Sequence, residues 1–356
     1  MLPIWQAEFG LSYAAVGLLR GVLAGTMASF QIPAGFLSER LGTARVLAAG
    51  TALAGLAFCL AGLTASYPGL LAVLFVAGLG ASTQHPLASV LVARAFAGAR
   101  SLTALGTYNF AGDLGKMALP AAAALLVAVM PWRPALTIFG TLGLLAAVAI
   151  LLATPRHDSE AARAAGDGEE GASASGTATR GGFRVLLSIG MIDSATRMGF
   201  LTFLPFLLTA KGASLPTIGL ALTLVFIGGA AGKLVCAWIG ARIGVVATVW
   251  LTALGILALL PLPLEAGLAL LPAIGVALNG TSSVLYGSVP RFAAPSARTR
   301  AFSIFYTGTI GSGAAAPILY GFIGDALGVP MTLTVVAALV LATLPLVFAI
   351  RRQVAA

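Results

Sequence analysis

Eleven apolar runs of about twenty residues follow one another along this chain, at roughly 14–36, 45–63, 69–92, 102–128, 133–153, 183–208, 215–239, 246–262, 266–289, 301–324 and 329–350. As a helix, a run of that length crosses the hydrocarbon of a bilayer. The strands of a β-barrel are much shorter and alternate in polarity, which these runs do not. Apolar residues make up 59% of the sequence and charged residues only 9%. A soluble domain of this length could not cover its surface with so few charges, and a disordered chain has the opposite balance. The sequence therefore predicts an all-α polytopic membrane protein. Cys59 and Cys236 lie in separate apolar runs without metal-ligand spacing, so neither a metal site nor a disulfide is expected, and no cofactor is expected. The opening MLPIWQAEFG lacks the basic segment and cleavage site of a signal peptide.

The rhythm breaks once, at RHDSEAARAAGDGEEGASASGTATRGG. Rich in Ala, Gly, Ser and charge, with no apolar stripe, it reads as a flexible hydrophilic linker. The expected organisation is an N-terminal bundle over 1–155, a linker over 156–182 and a C-terminal bundle over 183–356. The net charge is +9, which in a soluble protein would suggest nucleic acid. Here fourteen of the twenty basic residues fall on alternate connections and the C-terminus, and only Arg133 and Lys211 on the opposite set. That asymmetry predicts a bacterial-type inner membrane protein with linker and C-terminus cytoplasmic, and no nucleic-acid partner. The first visible span then enters from outside, so a first helix is expected upstream. Leu2–Pro3–Ile4–Trp5 reads as its outer end and Glu8–Ser12 as the turn that follows.

The halves repeat weakly. The cytoplasmic loop GFLSERLGTAR at 35–45 has a counterpart in AWIGARIG at 237–244, with Arg40 and Arg242 202 residues apart. Arg100 and Tyr108 match Arg298 and Tyr306 at an offset of 198. Parallel six-helix halves joined on the cytoplasmic side are a transporter architecture. The pattern Gly35, Glu39, Arg40, Gly42 and Arg45 resembles the signature between helices 2 and 3 of the major facilitator superfamily. The second copy keeps Arg242 and Gly244 but has Ala241 in place of the acid. The resemblance implies two six-helix bundles related by a pseudo-two-fold axis, with the visible helices numbered 2 to 12. It also implies that the loop is a gate latch, in which Glu39 and Arg40 pair with neighbouring helix ends. Within the superfamily, GLGASTQHPLASVLVA at 78–93 resembles helix 4 of fosmidomycin-resistance-like efflux transporters, and Asn109, Phe110 and Gly112 fit more loosely.

Six ionisable residues besides histidine lie within spans: Arg20, Asp113, Lys116, Asp193, Arg197 and Lys233. Each costs roughly 2.5–3.5 kcal/mol at a helix centre, so each needs a partner or a wet cavity. Asp113 and Lys116 are three apart and share a face. Either they neutralise each other, or, since helices 5 and 8 of the superfamily meet between the halves, Lys233 reaches toward Asp113. Asp193 and Arg197 are four apart, halfway along a span that the resemblance makes a cavity helix. Either they too are a self-neutralising pair, or Asp193 couples protons and Arg197 holds an anion with its planar fork. His85, with an ordinary pKa near 6.5, is either a proton relay or an interhelical hydrogen-bonder beside Pro86. Asn279, Ser282, Ser283 and Tyr286 place polar groups along another cavity helix by resemblance; such residues also hydrogen-bond between helices. Tyr108 and Tyr306 recur in the two halves as scaffold. Four basic and two acidic in-span residues leave an excess of two positive charges, which favours an anionic substrate.

Gly17, Gly21 and Gly25 repeat every four residues, as do Gly228 and Gly232. Such stripes allow helices to approach closely, and the expectation places them, with Lys233, at the sliding interface between halves. No phosphate-binding loop, H-E-x-x-H or G-x-S-x-G occurs, so neither ATP-driven transport nor a membrane enzyme is expected, and no residue is assigned catalysis. The function expected is secondary transport by alternating access of a small organic solute, anionic or drug-like, coupled to protons. Efflux by an antiporter and uptake of an organic anion both fit, as does a non-transporting sensor. The expected partners are the substrate, protons and the lipid bilayer, and the expected state is a monomer.

Overall fold

The computed structural model describes residues 1–96, 99–154, 180–239, 244–292 and 298–355. Regular structure among them is entirely helical. In chain order the helices are α1 (Leu2–Phe9), α2 (Tyr13–Leu41), α3 (Thr43–Ala61), α4 (Tyr67–Ala81), α5 (Gln84–Ala95), α6 (Ala99–Val129) and α7 (Trp132–Ala153). They continue with α8 (Arg180–Ala210), α9 (Leu215–Ile239), α10 (Gly244–Leu259), α11 (Leu264–Ser288), α12 (Arg298–Leu341) and α13 (Thr343–Ala355).

These helices carry all eleven apolar runs. The run at 69–92 is divided between α4 and α5. Pro86 has no N–H to donate to the carbonyl of Ser82, and the helix breaks there. α12 holds one run and most of the next. Gly328, at φ +82°, turns the chain between them, a backbone conformation that residues with a Cβ rarely adopt. Gly42 does the same between α2 and α3 at φ +91°. α8 begins at Arg180 and so reaches into the stretch expected as linker, whose remainder lies outside the described residues.

Seven segments of the described residues are long and apolar enough to cross a membrane, one of them the 46-residue Ile304–Ala349. That segment contains two of the expected runs. Val249–Leu259 and Leu264–Asn279 are shorter apolar helices. α8 is long enough at 31 residues, but Asp193, Arg197 and several hydroxyls dilute its hydropathy.

Local chemistry sets several helix ends. Ser66 caps α4 by accepting from the Gly69 amide at 3.2 Å. Lys211 Nζ donates to the Leu260 and Leu262 carbonyls, at 2.8 and 2.6 Å, just beyond α10. Arg133 donates to the Thr64 carbonyl just beyond α3, at 3.2 Å. The two basic residues that depart from the charge asymmetry therefore each serve carbonyls at a helix C-terminus, where a cation is favourable.

The chain forms two compact units. One comprises Val22–Leu114 and Val129–Ala172. In it α3 packs on α7 through Gly55 and Gly140: a Cβ on Gly55 would lie 2.7 Å from the Gly140 carbonyl oxygen, and one on Gly140 would lie 2.5 Å from that of Gly55. The other unit comprises Met1–Gly21, Gly115–Ala128 and Ser173–Ala356. Its core is built on the C-terminal half of α8, where Phe200, Phe203, Leu204 and Leu208 are fully buried with Val225, Ile256, Leu271 and Leu333.

Candidate functional site

The middle of α8 departs from the packing logic of the rest of the chain. Asp193 and Arg197, one turn apart, bring Oδ2 and Nη2 to 3.4 Å. A charge-assisted N–H···O bond is ordinarily 2.7–2.9 Å, so the pair is loosely closed. Both side chains are largely buried, with 17% of Arg197 and 12% of Asp193 exposed. The Arg197 Nε is buried with no hydrogen-bond partner among the described residues. The same holds for the hydroxyl of Thr196, next in sequence. It holds again for the hydroxyl of Tyr320 on α12, whose ring lies against Gly199 of α8. Buried polar groups are nearly always satisfied, and an unsatisfied one costs about 1–3 kcal/mol. All three can donate, and an acceptor is what they lack.

α2 adds a further cation to this unit. Arg20 is half-buried, and its Nη2 lies 3.4 Å from Met198 Sδ, a weak acceptor. Close contact between α2 and α12 carries Arg20 to α8. A Cβ on Gly17 would strike the Pro317 carbonyl, and one on Gly21 would lie 2.8 Å from that of Ala314. The α2 N-terminus is held as well: the Asp325 carboxylate accepts from the amides of Tyr13 and Ala14, at 2.5 and 3.0 Å. Tyr13 meets Phe206 of α8 edge-on, with ring centroids 5.4 Å apart.

The other sequence candidates belong to other elements. Asn279 on α11 packs over Gly229 of α9 and donates to the Gly275 carbonyl one turn back, at 3.1 Å. Gly228 and Gly232 lie against Pro272 and Val276 of α11, which accounts for that stripe. His85 is exposed in the first turn of α5. On α6 Asp113 is half-buried and Lys116 exposed. In the loop motif Glu39, Arg40 and Arg45 are exposed, and Ser38 donates to the Gly35 carbonyl at 2.7 Å. Gly25 is one turn beyond Gly21 on α2. Gly244 opens α10, while Arg242 and the side chains of Lys233 and Tyr286 lie outside the described residues. No group of three or more His, Cys, Asp or Glu that could hold a metal ion occurs among the described residues. The sequence reading missed Thr196, Met198, Tyr320 and Asp325. Only Thr196 had a nearby signal, since it lies between Asp193 and Arg197.

An all-helical polytopic chain with charged groups buried halfway along a span is the build of a membrane transporter. This chain belongs to the major facilitator superfamily: the model of that family matches residues 1–190 and again 186–355. It is a transporter-family protein and not an enzyme. The fold is shared with a bacterial homologue of the human lysosomal transporter Spinster, inward-facing and occupied, at TM-score 0.75 and 16% identity over 99% of this chain and 91% of that one. It is also shared with the nucleoside transporter NupG, at TM-score 0.78 and 14% identity over 98% and 93%. Identities that low carry the fold alone. A probable sulfoacetate transporter, SauU of Cupriavidus necator, is 29% identical over 147 residues. That match spans 40% of this chain and about a third, 33%, of the relative's length.

Proposed function

We propose that the protein is a proton-coupled secondary transporter of a small organic anion, a carboxylate, sulfonate or phosphonate, working by alternating access. The observation that carries this reading is Arg197, a guanidinium buried halfway along α8 with a free Nε and only a 3.4 Å contact to a carboxylate. An anion would supply the missing acceptor in the bidentate geometry that suits arginine. Asp193, released from the pair or protonated, is the coupling carboxylate. The similarity to a probable sulfoacetate transporter supports an anionic cargo. In this reading the protein is a monomer in an inner membrane, with two bundles, 1–155 and 183–356, and a cytoplasmic linker and C-terminus.

Export by exchange with protons is the second reading, and it rests on the segment 78–93. Gly78 and Gly80 of that segment have a packing role, since a Cβ on either would strike the backbone of α2 or α3. The test is uptake of sulfoacetate into proteoliposomes under an inward proton gradient. Arg197→Gln should lower kcat/KM by about 10- to 100-fold, the worth of one charged hydrogen bond of 1.5–3 kcal/mol. Undiminished flux in that variant would sink the anion site.

A further inference from the structure

We infer that Arg20 of α2 is a second anion-holding residue beside Arg197, and that the cargo is a small dianion with one anionic group for each guanidinium. The inference rests on the anion reading above and specifies its substrate class. Arg20 enters α2 about two turns below Tyr13, with an apolar turn on either side. Among the described residues its acceptor is the Met198 thioether, at 3.4 Å. A thioether is a weak acceptor and engages one of the five donors of a guanidinium. Met198 directly follows Arg197 in α8, so Arg20 reaches the same stretch of that helix from which Arg197 projects.

The position of Arg20 is fixed by the backbone. Gly17 and Gly21 flank it on α2 and rest on Pro317 and Ala314 of α12. Asp325 holds the first amides of the same helix. An arginine two turns into a span, held this firmly and bonded to sulfur among the described residues, has no structural need that leucine would not meet better. A charge within a span is costly to place, and intramembrane charges of this kind mark substrate pathways.

Charge balance selects the valence. When Asp193 carries the coupled proton it is neutral, and Arg20 with Arg197 gives 1 + 1 = +2. A dianion brings the sum to zero, whereas a monoanion leaves one charge uncompensated where the dielectric is low. Proton coupling through Asp193 and two arginines together therefore specify a dianion moved with its proton.

The test uses the full chain in proteoliposomes with three labelled probes: sulfoacetate and malonate as dianions, and isethionate as a monosulfonate of nearly the same size as sulfoacetate. Wild-type kcat/KM should favour both dianions over isethionate by tenfold or more. Arg20→Gln should lose about 10- to 100-fold on the dianions and less than threefold on isethionate, while Arg20→Lys recovers part of the loss. Arg197→Gln should lose flux of all three. Equal wild-type rates for sulfoacetate and isethionate overturn the inference without any variant, which covers an Arg20→Gln protein that fails to fold. Equal losses on dianion and monoanion in Arg20→Gln, or none, overturn it while leaving the anion site at Arg197 standing. If Arg197→Gln moves every probe at the wild-type rate, the underlying anion reading fails as well.

Discussion

Two helix contacts of this molecule are both lined with glycine but treat their polar groups in opposite ways. Where α3 meets α7, polar side chains are satisfied within the pair. Thr51 donates to the Leu47 carbonyl at 2.7 Å, Thr137 to Arg133 at 3.1 Å and Thr141 to Thr137 at 2.8 Å. Even the Cys59 thiol finds the Thr137 carbonyl, at 3.7 Å. Where α8 meets α12, Gly190 and Gly199 let the rings of Phe305 and Tyr320 come close, yet among the described residues the Tyr320 hydroxyl has no partner, nor do Thr196 Oγ1 and Arg197 Nε of α8. The first contact is complete in itself. On the reading proposed above, the second is completed by the anion, and that difference separates scaffold from proposed site more sharply than burial does.

The comparison breaks hardest at Gly140. A Cβ there would lie 2.5 Å from the Gly55 carbonyl oxygen and 2.6 Å from the Cys59 amide nitrogen, both backbone atoms that cannot swing aside. Gly140→Leu should cost 1–3 kcal/mol or more by overpacking. The expected outcome is a tenfold or greater fall in monodisperse protein extracted in detergent. Gly115, with nothing within 4 Å of its Cβ position, is the control: Gly115→Ala should hold or raise the yield, because alanine favours the helix by about 1 kcal/mol.

At the α8 contact the effect should fall on transport and leave folding intact. Asp193→Asn keeps the size and removes the titration. Wild-type uptake should rise as external pH falls, because the protonated carboxyl accompanies the substrate. In the variant the profile should be flat, with fold and yield preserved. A retained pH slope would move the coupling role to Asp113 or His85. A smaller change is expected at the loop motif, where Glu39 is exposed and its reversal costs the fold little. Glu39→Lys should cut the transport rate several-fold with unchanged thermal stability if the loop is a latch. Wild-type flux would refute the latch.

How legible each part was in the sequence follows from the range of the forces involved. The helical character of the eleven apolar runs was legible because hydropathy is a property of each run alone. Asp193 and Arg197 stood out because a charge inside an apolar run is visible without a neighbour. The glycine stripes were legible as surfaces for close approach, but their partners were not: Gly228 and Gly232 turn out to face α11. Thr196 and Tyr320 could not be singled out, since whether a hydroxyl is satisfied depends on which helices surround it. Asn279 shows the same limit: its amide donates to the Gly275 carbonyl of its own helix, a bond the sequence does not display.

Asp325 was the least legible of all, because its partners are 311 and 312 residues away. It also gives the smallest predicted effect. Its carboxylate does for α2 what an N-cap side chain does from within a helix, and loss of such a cap costs about 0.5–2 kcal/mol. Asp325 is exposed, so water replaces part of what is lost, and Ser12 Oγ still accepts from the Ala15 amide at 3.2 Å. Asp325→Ala should therefore sit at the low end and lower the melting temperature by about 1–2 °C, given the size of the chain. Asp325→Asn should do less, because asparagine is an equally good cap. The glycine contacts at Gly17, Gly21 and Gly321 would then be what holds α2 to α12. A fall of ten degrees would reverse that ranking and make the carboxylate, a long-range electrostatic tie, the main fastening of the pair.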